Sequence, residues 1–457
     1  MKKNQSDALG TEPIGKLLVQ QAVPASIGIL VMSLNVVVDT IFVGNWIGAI
    51  AIAAINVVLP ISFFISAMGM AVGIGGASII SRALGALDKH KAKCTFGNQI
   101  SLVMLVTAIM VFFGLTFADE LIPVFGGKGD IFEPAKIYYK ILLLGVPMLA
   151  LSMVGTNVIR AEGKPTFAMI AMIIPSVTNL VLDYLFIFVF EWGMAGAAWA
   201  TVASYALGLI YIMSFFFSGR SELKISFTHL KFKFPILKEI SSLGFVTLAR
   251  QAAVSITYLL MNNLLFAYGG ETSVAAYGII GRMLMFALFP VMGMTQGFLP
   301  IAGYNYGAHQ YQRVRQSINR AITFAGLLAL GIFLLIQFFA PQIVTVFTTE
   351  PEILVKTPDY MRWVFAATPI IAIQLIGSAY FQAIGKAVPA LLLTLTRQGF
   401  FFIPLVLILP QFFGEIGIWV SFPMADVLST IVTGYFLNRE IRKNLYVLNV
   451  EATEPKL

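Results

Sequence analysis

Asp39 and Asp183 are the two carboxylates that fall deep within apolar stretches in the first half of this 457-residue chain. Asp39 sits in NVVVDTIFVG, Asn35 to Gly44, and Asp183 sits in NLVLDYLF, Asn179 to Phe186. In both strings an asparagine stands four residues earlier, one turn away on the same helical face, so each acid has an amide beside it. Downstream, GAAWATVAS, Gly196 to Ser204, adds the hydroxyls of Thr201 and Ser204. Carboxylates, amides and hydroxyls on adjoining helices can coordinate a hard cation such as sodium through oxygen, or take up and release a proton. The plainer alternative is that each aspartate ties helices together by hydrogen bonds. A charge at the centre of a bilayer costs about 2.5–3.5 kcal/mol on insertion scales, whereas Asn or Ser ties helices without one, and the balance favours function.

The elements that must position these groups are membrane helices. The chain is 58% hydrophobic and 11% charged, against about 25% charged in a soluble domain, which excludes an ordinary water-soluble enzyme. A bilayer core of about 30 Å needs roughly 20 apolar residues per helix, and such stretches recur with short polar breaks between them. Twelve spans are predicted, and no strand-like alternation supports a barrel. The fold expected is therefore an all-α integral membrane protein.

The net charge of +8 is explained by its placement. Arg82, Lys89, Lys91 and Lys93 follow the second span, Arg220, Lys224, Lys231, Lys233 and Lys238 the sixth, and Arg313, Arg315 and Arg320 the eighth. The odd-numbered loops are acidic, with Asp119, Glu120, Asp130, Glu191, Glu271, Glu350 and Glu415 among their residues. The positive-inside rule then puts both termini in the cytoplasm of a cell inner membrane, and no nucleic-acid partner is expected. The single cysteine, Cys94, allows no intramolecular disulfide and falls in a predicted loop. His90, His229 and His309 also fall in predicted loops, where a histidine reads as solvated surface. No HExxH or GxSxG string is present, so an embedded enzyme is not expected. The polar first 16 residues make the first apolar stretch a retained span rather than a cleaved signal.

The chain repeats itself. An offset of 222 residues pairs Gly85-Ala86 with Gly307-Ala308, Tyr138 with Tyr360, Pro147 with Pro369, Gly155 with Gly377, and Gly163-Lys164 with Gly385-Lys386. Chance similarity between apolar helices would not place Gly, Pro and Lys in matching loops. Because loop polarity recurs unchanged, the repeat holds six spans and its copies relate by a pseudo-twofold axis along the membrane normal, a plan that encloses a cleft. Four regions are expected: an N-terminal lobe at 1–217, a cytoplasmic linker at 218–235, a C-terminal lobe at 236–443 and a polar tail at 444–457.

The second half carries different deep polar groups: Arg250, Gln251, Arg282, Gln296, Gln374, Arg397, Gln398 and Asp426. Asp426 is placed to pair with Arg397 or Arg250, a bracing role at least as well supported as a transport role. Asn35, Asn157, Ser204, Arg250, Gln251, Gln296, Gln374, Arg397 and Asp426 are the candidates for a substrate cleft or for the surround of the acidic site.

Taken jointly, DTIFVG, VIRAEGKP, NLVLDYLF and GAAWAT resemble strings of the multidrug and toxic compound extrusion (MATE) family, over essentially the whole chain. TLTRQGFFFIP, Thr394 to Pro404, is similar to the bacterial, Staphylococcus-type multidrug branch of that family. The resemblance implies a two-lobed antiporter that exports drug-like, often cationic organic compounds by alternating access, driven by H+ or Na+ and needing no other cofactor. It also implies a cation or proton site at Asp39, Asn179, Asp183 and Thr201, with Na+ as one occupant of Asp39, Asn179 and Asp183. A second acidic site found in some branches is missing, since the seventh span offers Arg250 and Gln251 and the tenth Gln374. The expected working unit is a monomer in the lipid bilayer. A flippase of lipid-linked oligosaccharides, from the same superfamily, is the alternative.

Overall fold

In hydrocarbon each backbone N–H and C=O must find its partner within its own segment, so apolar stretches of this length fold as helices. The computed structural model describes residues 5–445, and among them eleven helices are long and apolar enough to cross a membrane. The first six are α1 (Ile14–Trp46), α2 (Ala49–Gly85), α3 (Lys89–Thr116), α4 (Gly129–Ala161), α5 (Pro165–Val189) and α6 (Gly193–Phe217). The next, Phe234–Gly307, is interrupted at Gly270, whose φ of 69° and ψ of −165° are not helical. It therefore supplies two crossings, α7 (residues 234–269) and α8 (residues 271–307). After them come α9 (Tyr311–Phe347), α10 (Pro351–Ala383), α11 (Ala387–Phe413) and α12 (Glu415–Leu445), which makes the twelve crossings expected. The tail expected from residue 444 lies, beyond Leu445, outside the described residues.

Local signals set the helix ends. The Asp88 carboxylate accepts a 2.8 Å hydrogen bond from the Lys91 amide and so caps α3. This corrects one expectation: His90 and Cys94 are not in a loop but on the opening turns of α3, with Cys94 buried. The charges of the string KHKAK suggest a loop, but the cap starts the helix before the apolar run begins.

The repeat is visible in the backbone. Gly163 and Gly385, 222 residues apart, both adopt left-handed geometry, at φ 78° and 85°. They close the same turn: Lys164 N donates to Ile159 O at 3.1 Å, and Lys386 N to Phe381 O at 2.9 Å. This hydrogen bond satisfies a carbonyl that the helix end leaves free, and glycine adopts the required φ without a steric penalty. Leu87 and His309, again 222 apart, share φ values of 59° and 57°.

By contact the chain divides into two compact units. One is Ile27–Gly244 with the segment ending at Ala8; the other is Leu9–Ser26 with the chain from Phe245 onward. These divisions fall within α1 and α7 rather than at residues 217 and 236, where sequence alone places them. Close packing accounts for this. In the first unit a Cβ on Gly244 would lie 2.7 Å from Ala71 O, so the opening of α7 is pressed onto α2. In the second, a Cβ on Gly297 would lie 2.7 Å from Ala22 N, so the opening of α1 is pressed onto α8. Small residues at such points let helix backbones approach closely.

Each unit has its own core. The first is built on Val43, Ala54, Val58, Leu143 and Ile187, and the second on Met261, Ile280, Phe365, Val406 and Trp419. Phe112, Leu259 and Phe338 are among the large apolar side chains left exposed on these helices.

One polar contact outside the spans fixes the start of the linker. Glu162, between α4 and α5, is fully buried. Its Oε1 lies 2.6 Å from Ser221 Oγ, and its Oε2 accepts from Glu222 N at 2.8 Å. The Glu222 carboxylate in turn accepts from Ser6 N at 2.7 Å. Burial pushes the Glu162 carboxyl up to about 7, against the opposing pull of its two hydrogen bonds, and the neighbouring Glu222 charge adds to the rise.

Candidate functional site

Asp183 ends the regular part of α5, where the backbone widens into a π-helical stretch, Tyr184–Val189. Such widened turns recur at functional positions because they redirect the side chains around them. Asp183 is fully buried, and Asn179, one turn earlier, is nearly so. Each amide stands one turn from its acid, as the spacing expects, but its hydrogen bonds go elsewhere. Asn35 Nδ2 of α1 donates to Asn179 Oδ1 at 2.9 Å and to Ser176 O at 3.3 Å. The two amides thus bond to each other and pin α1 against α5.

That pin brings the acids together. Asp39 lies one turn beyond Asn35, and its carboxyl comes within hydrogen-bonding reach of the Asp183 carboxyl. Among the described residues no donor reaches either Asp183 oxygen, and Asn179 Nδ2 has no acceptor. Ionised carboxylates only accept hydrogen bonds, so two of them facing each other lack a donor. A proton shared between them, or a small cation, would supply what is missing.

Thr201 on α6 donates its hydroxyl to Ala197 O at 3.0 Å, which leaves oxygen lone pairs free. Tyr138 of α4 has its hydroxyl within hydrogen-bonding reach of Thr201, and Tyr138 and Tyr205 both lie in electrostatic range of Asp39. Sequence reasoning missed both phenols. The one signal for Tyr138 was its pairing with Tyr360 in the repeat, and a tyrosine in an apolar span is otherwise unremarked. Two other candidates act locally. Ser204 Oγ donates to Thr201 O at 2.7 Å, within α6 itself, and Asn157 Nδ2 donates to Met153 O at 2.8 Å within α4. Among the described residues no hydrogen bond joins either side chain to the acidic pair.

The deep acid of the second unit is held in an ion pair. Arg397 Nε donates to Asp426 Oδ1 at 2.6 Å, an ion pair between α11 and α12, so of the two partners the sequence allowed, Arg397 is the one. Arg397 stands in another π-helical stretch, Thr396–Phe402. Buried Gln374 donates to Leu393 O at 3.1 Å and ties α10 to α11. Arg250 and Gln296 are half-buried, and Gln251 is exposed.

The MatE family model matches the chain twice, over residues 24–185 and 247–408. The chain belongs to the MatE family. The starting points of the two matches reproduce the sequence offset to within one residue, and the first match contains Asp39, Asn179 and Asp183. Relatives extend over nearly the full length. Multidrug export protein MepA of Staphylococcus haemolyticus (strain JCSC1435) is 26% identical over 447 residues, 98% of each chain. MepA of Staphylococcus aureus (strain N315) is 25% identical over 431 residues, 94% of this chain and 95% of that one. Among solved structures, a crystal structure of MATE in the bent conformation matches with a TM-score of 0.92 at 26% identity, covering 99% of this chain and 100% of the other. An outward-facing conformation of a multidrug resistance MATE family transporter matches with a TM-score of 0.90 at 26% identity, covering 98% and 99%. As a MatE protein the chain is a membrane transporter and not an enzyme.

Proposed function

We propose that this chain is a secondary antiporter of the bacterial inner membrane. It exports organic, cationic amphipathic compounds and takes its energy from an ion moving inward onto Asp39 and Asp183. The observation that carries the reading is the pair of facing carboxyls without a donor in the first unit. Likeness to the MepA exporters supports the cargo class, and the basic loops support an orientation with both termini in the cytoplasm. The working unit is a monomer, since the acidic site is assembled from one chain.

The donor set favours a proton as the coupling ion. Sodium would draw on the Asn179 oxygen, which already accepts from Asn35 and would offer it a single remaining lone pair. Turning that amide over would set one NH2 group against another. Transport then follows from opposed preferences. The protonated pair stabilises one conformational state and the loaded cargo another, because a ligand that binds both states equally shifts nothing. Arg397 is neutralised by Asp426, which removes a cation that an anionic lipid-linked cargo would use.

The test is dye efflux from proteoliposomes under separately imposed pH and sodium gradients. A pH gradient alone should drive export, and Asp183→Asn should abolish it while leaving dye binding in place. Efflux that follows only the sodium gradient would overturn the choice of ion, and driven efflux preserved in Asp183→Asn would overturn the site.

A further inference from the structure

Outside the acidic pair, one cluster of electron-pair donors is left without a task. His90 and Cys94 lie one turn apart on the opening of α3, and His229 lies on a short turn, Phe227–Leu230, of the segment between the two repeats. Their ligating atoms all fall within 4.8 Å of one another. Read along the sequence they are a lone cysteine and two loop histidines. Folding makes them one group.

The group is held in place. Asn98, on α3 one turn beyond Cys94, accepts from Lys233 N at 2.8 Å and donates to Lys231 O at 3.2 Å. Ser101 Oγ donates to Leu230 O at 2.7 Å. Gly97 lets the His229 backbone lie directly on the helix, where any Cβ would collide with His229 O. Ser226 backs the His229 ring, with its N at 3.1 Å and its Oγ at 2.9 Å from Nδ1. A cation is already drawn to the centre: the Lys233 ammonium stands 3.1 Å from Cys94 Sγ and 3.3 Å from His90 Nε2.

We propose that His90, Cys94 and His229 form a binding site for a borderline-soft divalent cation, Zn2+, which displaces the Lys233 ammonium and staples the inter-repeat segment to α3. One thiolate and two imidazoles are a zinc donor set, with water in the fourth position. Bond lengths of about 2.1–2.3 Å in a tetrahedron put ligand atoms roughly 3.5 Å apart. The pair Cys94 Sγ and His90 Nε2 is at that spacing, 3.5 Å, in the present arrangement. On binding, the Cys94 thiol releases its proton to solvent. The neutral His229 ring accepts at Nδ1 from Ser226 N and so carries its proton on Nε2. When the metal takes Nε2 that proton moves to Nδ1, where Ser226 Oγ accepts it in place of the Ser226 N contact. Lys233 is on the surface and swings away without disturbing the core. In the orientation proposed above this face is cytoplasmic, where a thiol stays reduced.

The experiment uses the full-length protein in detergent, freed of any polyhistidine tag and stripped with chelator, then titrated with Zn2+ against a chromophoric competitor and separately with Co2+. One equivalent should bind, and Co2+ should give a thiolate-to-cobalt charge-transfer band. Cys94→Ser should remove the band, and His229→Ala should weaken binding by about 10-fold or more. Lys233→Ala, which spares every ligand, should tighten it. Absence of the charge-transfer band in the wild type, full affinity in His229→Ala, or unchanged affinity in Lys233→Ala overturns the proposal.

Discussion

Glu162 gives the sharpest prediction, because its value of about 7 sets both the size and the direction of an effect. When the segment at Ser221–Glu222 lifts away, the carboxyl meets water and returns to its ordinary 4.5. A carboxyl raised on docking favours the docked state fully below 4.5, and that advantage is lost as pH rises through about 7. At about 1.4 kcal/mol per pH unit the interval amounts to roughly 3.5 kcal/mol, or about 300-fold in the population of the lifted state. The hydrogen bonds persist in both forms. A protonated Oε1 donates to Ser221 Oγ, an ionised one accepts from it, and Oε2 accepts from Glu222 N either way. Glu162→Gln copies the protonated form at every pH, its amide nitrogen donating to Ser221 and its oxygen accepting from Glu222. Hydrogen-exchange protection factors of the Glu222 and Leu223 amides, taken from about pH 5 to about pH 8, read the effect with intrinsic exchange divided out. Wild-type protection should fall as pH rises, and that of Glu162→Gln should stay level and exceed it at the alkaline end. A level wild-type profile, or the same slope in both proteins, would refute the reasoning.

Two further outcomes follow from other contacts. Asp426→Ala leaves Arg397 with an uncompensated charge and should lower thermal stability in detergent by an amount corresponding to about 3 kcal/mol, while replacement of both residues by apolar ones of similar size should recover most of it. Asn35→Ala strips Asn179 Oδ1 of its donor, at a cost of about 1–3 kcal/mol, and should reduce gradient-driven efflux more than dye binding because it releases α1 from α5; equal losses in the two assays would count against that role.

The crossings were legible in the sequence because hydropathy and length decide them, and the repeat because Gly, Pro and Lys recur at one spacing. Asp39 and Asp183 stood out since a carboxylate in an apolar run needs a reason. The partners of polar groups were far less legible. Spacing of four residues puts Asn35 beside Asp39 on one helix, yet Asn35 bonds Asn179 across to another, and only packing determines that. Tyr205 carries no sequence mark and Tyr138 only its echo in the repeat, and His229 joins Cys94 across more than a hundred residues through an asparagine and a glycine that look ordinary. The helix break at Gly270 was legible as a loop between spans, whereas the division of contacts inside α1 and α7 was not, since nothing in an uninterrupted apolar run shows where its neighbours change.

That division has a genetic consequence. Neither copy of the repeat encodes a complete unit: the second needs Leu9–Ser26 from the far end of the gene, and the first keeps Gly244 and the residues before it from beyond the midpoint. A protein cut in the link between repeats would yield two fragments that each lack a piece of their own core packing. Fragments made separately should therefore mature only in each other's presence, and an ancestral half-length gene would have had to work as a pair of chains exchanging segments.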